Sequence, residues 1–180
     1  MTVGALEEAA CRALAVQPMG RMGIGWESED LLTKLITETG RRANLISLAC
    51  DTALHALGRT ERTIAHEYLV KVFADTRLRD ALLGWGDLGE DKIERRRDRI
   101  VVYATAPLAN RFSLSDVVKL LESHGYSPGP ESLKQSLARL ELAFVLGREG
   151  AQYFYQVPLQ RDLILADDIE YLMHTELKAS

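Results

Sequence analysis

Apolar side chains recur at helical spacing along most of the chain. Residues 6–16 are rich in alanine, and Pro18 is expected to end that helix near Gln17, because proline lacks an N–H and disfavours helical backbone before it. Three glycines and a proline make residues 18–25 a predicted loop. Ser28 is the expected N-cap of a helix over 29–39, whose Leu31, Leu32, Leu35 and Ile36 form one buried stripe. Gly40 breaks the pattern. It resumes over 43–57, with Leu45, Leu48, Ala49, Thr52, Ala53 and Ala56 on one face and Gly58 as the residue that closes the helix. Thr63 is the predicted cap of a fourth helix containing Ile64, Tyr68, Leu69, Val72 and Phe73, and 75–83 forms a short fifth.

Beyond a glycine-rich segment at 84–89, which reads as a linker, the pattern predicts a helix over 91–106 stopped by Pro107. Ser113 caps a helix over 114–123, and a turn at 124–130 leads to a helix over 131–142 with Leu133, Leu137 and Leu140 inward. The period then changes from helix to strand. Residues 143–146 and 152–157 flank Gly147, Arg148, Glu149 and Gly150, which is a hairpin signal. A closing helix spans 159–177. Helix, helix, turn, helix and hairpin is the order of a winged helix-turn-helix. The expected fold is therefore mainly α: a helical bundle over 1–88, then a winged helix-turn-helix domain over 89–180 with a small β-hairpin wing and a closing C-terminal helix.

Composition narrows the function classes. The chain has 180 residues, 22 Lys+Arg, 26 Asp+Glu and two cysteines. Two cysteines exclude a disulfide-rich scaffold or a cysteine zinc ribbon, and Cys11 and Cys50 read as small buried hydrophobes. No apolar run reaches the roughly 18–20 residues of a membrane helix. The acidic N-terminus does not read as a signal peptide, so a cytoplasmic protein without a membrane partner is expected. Residues 1–91 carry 10 basic and 14 acidic side chains, and residues 92–180 carry 12 of each. A DNA-reading domain usually shows a basic excess, so the neutral second half disfavours DNA without removing it from consideration. Lys134, Gln135 and Arg139 on the presumed recognition helix and Arg148 at the wing tip are the candidate DNA or partner contacts. Arg95, Arg96 and Arg97, in the densest basic run, are further candidates for contact with nucleic acid or an acidic partner, and the interrupting Glu94 and Asp98 favour a solvated face or interdomain packing for the run.

No catalytic set is present. There is no Gly-x-x-x-x-Gly-Lys-Ser/Thr phosphate loop, no His-Glu-x-x-His and no Gly-x-Ser-x-Gly. His55, His66, His124 and His174 are isolated in sequence, so no metal site is expected.

Several phrases resemble the C-terminal region of AAA+/STAND-type P-loop ATPases. Leu6-Glu7-Glu8-Ala9-Ala10 followed by Gln17-Pro18-Met19 and Met22-Gly23-Ile24 is similar to the start of the helical lid in that family. Thr39-Gly40-Arg41-Arg42-Ala43-Asn44-Leu45-Ile46 looks like a lid helix start, and Tyr153, Tyr155 and Pro158 resemble the end of the family's winged helix. The resemblance runs from about residue 3 to 177. It implies a lid-like bundle, with Arg41, Arg42 and Asn44 as nucleotide-proximal candidates. The position of the family's sensor arginine is Ala43 here. The nucleotide-binding core is not in this chain, so ATP and magnesium would act only through a separate P-loop domain. The resemblance thus implies a non-catalytic regulatory region, a truncated or split piece of such an ATPase, that couples nucleotide state to partner docking. A free-standing winged-helix DNA-binding regulator and a protein-interaction adaptor are the alternatives.

Overall fold

The computed structural model describes residues 5–108 and 111–179. They form ten α-helices, a two-stranded parallel pair and a three-stranded antiparallel sheet. The chain divides into two compact units after Leu82, with Val157–Leu159 counted in the first.

The first unit contains α1 (Glu8–Arg21), β1 (Gly25–Trp26), α2 (Glu29–Glu38), α3 (Ala43–Ala56), β2 (Thr63–Ile64), α4 (His66–Phe73) and nearly all of α5 (Thr76–Leu83). The stripe expected on α2 is buried as predicted, and the Ser28 hydroxyl accepts the Leu31 N–H at 3.2 Å. Three expectations are corrected. First, α1 runs through Pro18 to Arg21. Proline inside a helix costs about 3 kcal/mol, but Met19 is fully buried, which offsets much of that at about 1.5–3 kcal/mol. The Met19 carbonyl also accepts the N–H groups of Met22 and Ile24, so the helix end is satisfied past the proline. Second, Thr63 and Ile64 are a strand, not a helix start: they pair in parallel with Gly25 and Trp26. The Glu27 carboxylate accepts the His66 N–H at 3.0 Å, so α4 is capped by a residue far away in sequence. Third, Gly58 is not left-handed. The chain leaves α3 extended at Leu57, and the Gly58 N–H donates to Glu61 at 2.7 Å. On α3 the buried stripe includes Ile46, and Leu48 and Ala56 are only half-buried.

In the second unit a 3-10 turn (Gly84–Asp87) precedes α6 (Lys92–Thr105), β3 (Phe112–Ser113), α7 (Leu114–Ser123), α8 (Pro130–Leu142), β4 (Leu146–Glu149), β5 (Gln152–Tyr155), all but the first two residues of α9 (Pro158–Leu165), and α10 (Ile169–Lys178). The residues at 84–89 are structured rather than a free linker. Trp85 is buried in this unit's core and meets Tyr103 edge-on, with ring centroids 5.9 Å apart. α7 starts with a reciprocal cap: Ser113 accepts the Asp116 N–H and Asp116 accepts the Ser113 N–H. The expected hairpin is present but shifted along the chain. Phe144 takes a left-handed φ of 61° to close α8, so pairing begins at Leu146 and runs through Gly147 and Arg148 to Glu149. Only Gly150 and Ala151 make the turn. Phe154 lies against Gly147, where a Cβ would come within 2.6 Å of its ring, so any larger residue there would have to displace the ring. β3 adds a third strand that the pattern did not predict, in the order β3-β5-β4.

The expected closing helix over 159–177 is two helices. The Asp168 side chain accepts the Tyr171 N–H at 3.0 Å, which caps a new helix and stops the old one near Leu165. The break allows α10 to pack along α6.

Candidate functional site

The basic run on α6 faces the unit itself. Arg95 Nε donates to the Gly89 carbonyl at 2.8 Å. Arg96 donates to the carbonyls of Glu176 and Leu177, satisfying acceptors that the last turn of α10 leaves open. Arg97 donates to the Ser132 carbonyl at 3.4 Å, near the start of α8. Arg99 pairs with Glu176 at 2.6 Å and donates to the Gly86 carbonyl at 3.0 Å. Glu176 holds the Arg99 guanidinium above its ordinary pKa. These arginines fasten α6 to three segments of its own unit: residues 84–89, the start of α8 and the end of α10.

Arg139 is placed differently from the expectation of a contact residue. Its guanidinium meets the Asp98 carboxylate through two bonds of 2.9 Å, and a third bond of 3.0 Å reaches Glu94. Asp98 is 0% exposed and also accepts the buried Ser136 hydroxyl. The carboxylates hold the Arg139 pKa above its usual value. A fork-shaped guanidinium engaged by two carboxylates has few donors left for a base or phosphate. Asp98 is thus a buried anchor between α6 and α8, although in the sequence it reads only as an interruption of the arginine run. A signal existed: Asp98, Val101, Val102 and Thr105 recur at helical spacing, and all are buried.

Beyond its first residue, Pro130, what remains exposed on α8 is Glu131, Lys134, Gln135, Ala138 and Leu142, at the spacing of a single helix face. Lys134 lies 3.8 Å from Glu131, and Leu142 is 67% exposed. The face carries no net charge. Arg148 is exposed on β4 with its guanidinium over the Tyr153 ring, while nearby Arg111 is ion-paired with Glu149. Among the four α8 and wing candidates, Lys134, Gln135 and Arg148 share the accessible surface of this unit and Arg139 does not.

In the first unit, Arg41, Arg42 and Asn44 stand together where α3 begins. Arg41 has a left-handed φ of 56°, and its carbonyl accepts the Leu6 N–H at 2.9 Å. Arg42 is the N-cap residue of α3, and its guanidinium pKa is lowered by burial. Asn44 is exposed. No described residue brings a phosphate-binding loop to them.

No match to this chain emerges among protein-family models, curated proteins or solved structures.

Among the described residues, no group of His, Cys, Asp and Glu is arranged to hold a metal ion, and no helix is long and apolar enough to cross a membrane. Both cysteines are free. Burial raises the Cys11 thiol and pushes Cys50 up to about 12. Both should therefore stay protonated at pH 8 and react with an aromatic disulfide reagent at least ~100-fold more slowly in the native protein than in denaturant. Rapid native-state labelling of either thiol would contradict that burial.

Proposed function

We propose that the chain is a non-catalytic regulatory and interaction region, in which a winged-helix domain presents α8 and the wing to a protein partner. The carrying observation is that α6 and α8 turn their arginines inward, which leaves an α8 face that is neutral and ends in the exposed Leu142. A surface of mixed polarity with an exposed large aliphatic group suits a protein interface better than a polyanion. The strand order β3-β5-β4 behind α7 and α8 supports the winged-helix reading.

The resemblance to AAA+/STAND ATPases supports a P-loop nucleotide-binding domain as the partner, with the lid-like first unit next to it and Arg41, Arg42 and Asn44 towards the nucleotide. ATP and magnesium would then be bound by the partner, and this chain would transmit its nucleotide state. A photo-crosslinking amino acid at Gln135 or Leu142, introduced in cells, tests this. The expected product is a protein adduct whose partner contains a P-loop. Adducts with nucleic acid at both positions would overturn the proposal.

A DNA-binding regulator is the second reading. It is favoured by the exposure of Lys134, Gln135 and Arg148 on neighbouring elements of one unit.

A further inference from the structure

A cavity of about 480 Å³ opens between α6, α7 and α10, wholly within the second unit. Its volume falls in the range of small-molecule sites. Ala104, Leu108, Leu120, Met173 and Leu177 give it an apolar lining. Met173 and Leu177 lie one turn apart on α10, so the helix contributes a continuous apolar stripe. The polar groups are Tyr103, His124, Glu170 and His174.

The charge of the lining is one-sided. Among the described lining residues Glu170 is the only carboxylate, and none is lysine or arginine. Arg99, a turn before Tyr103 on α6, is tied to Glu176. Tyr103 has its hydroxyl pKa raised chiefly by burial; the negative charge of Glu176 raises it further, Arg99 lowers it and Asp167 adds a smaller rise. His124 is the C-cap residue of α7, so the negative end of that helix dipole also lies at the cavity. An apolar hollow with a net negative polar edge selects against carboxylates and in favour of organic cations.

We propose that this cavity binds an amphipathic amine. The alkyl or aryl body packs against the apolar lining, and the ammonium group is held by the Glu170 carboxylate beside the C-terminal end of α7. The site is independent of the α8 surface and of the partner suggested for it.

Isothermal titration of the full chain with octylamine, octanol and octanoate tests the proposal, because the three probes share a tail and differ in head charge. Octylamine is expected to bind at least about tenfold more tightly than octanoate. Glu170→Gln, at an exposed position, should bring the two within about threefold while the melting temperature stays unchanged. Met173→Trp should fill the hollow and abolish binding of all three probes. If the tryptophan variant fails to fold, the Glu170→Gln comparison alone decides. Equal binding of amine and carboxylate to the unaltered protein, no amine binding at all, or an amine preference that survives Glu170→Gln would overturn it.

Discussion

Replacing Asp98 with alanine is expected to destabilise the protein by about 3–5 kcal/mol, because it strands a guanidinium and a buried hydroxyl that have no other strong acceptor for these bonds. Asp98 is fully buried and accepts from Ser136 as well as twice from Arg139. Glu94 retains only one bond to Arg139 and sits closer to solvent. Urea unfolding would measure the loss as a lower midpoint with an unchanged slope. A double-mutant cycle separates the pair from its surroundings. Arg139→Met alone leaves a buried carboxylate with only Ser136, and it should cost a similar amount. The double variant Asp98→Leu/Arg139→Met removes both charges and should lose much less than the sum of the single changes, since a buried ion pair often does no better than apolar side chains of similar size. Additive losses would show that the two residues do not act as a unit.

Trp85→Ala carries the second large effect, about 3–5 kcal/mol for emptying an aromatic site in the core. The residue lies in a segment whose glycines suggest a linker, yet it is only 7% exposed and packs on Tyr103. If 84–89 were a free linker, alanine would cost almost nothing. Trp85→Phe gives a useful contrast. The indole Nε1 is buried and meets no acceptor among the described residues, so losing its N–H removes an unsatisfied donor. Phenylalanine should therefore lose well under half of what alanine loses. Thermal and urea unfolding followed by Tyr and residual Trp fluorescence would separate the three variants.

Periodicity made the helices of the second unit legible, because α7 and α8 each bury one stripe, α6 buries most of its apolar second half, and α6 and α7 begin at recognisable signals, Asp91 and Ser113. The sheet was only half legible. β4 and β5 announce themselves through Gly147, Gly150 and the tyrosines, whereas β3 is two residues long and gains its identity only by pairing Phe112 with Tyr153 and Ser113 with Gln152. Thr63 and Ile64 misled for the same reason. Their partners, Gly25 and Trp26, lie far away in sequence, and a two-residue strand has no period of its own. Pro18 and Asp168 misled in opposite directions. Burial of Met19 carried a helix through a proline, and one carboxylate cap split a helix whose apolar spacing looked continuous. For the candidate site, the structure pairs the arginines of α6 within their own unit, whereas charge counting leaves them as a solvated face, an interdomain contact or a partner contact. It could not reveal that Arg139 faces Asp98, because that pair joins two helices and its acidic partner sits among charges of both signs.

On the proposed reading, the arginines of α6 and Arg139 of α8 serve the second unit's own packing and leave a surface suited to a protein rather than to DNA. Fluorescence anisotropy of a labelled duplex of random sequence, titrated with the full chain across a salt series, tests that most directly. Binding weaker than about 10⁻⁴ M at physiological salt is expected, outside the usual range for non-specific DNA binding, with no change on Lys134→Ala or Arg148→Ala. Micromolar binding that falls steeply with salt and weakens in either variant would contradict it.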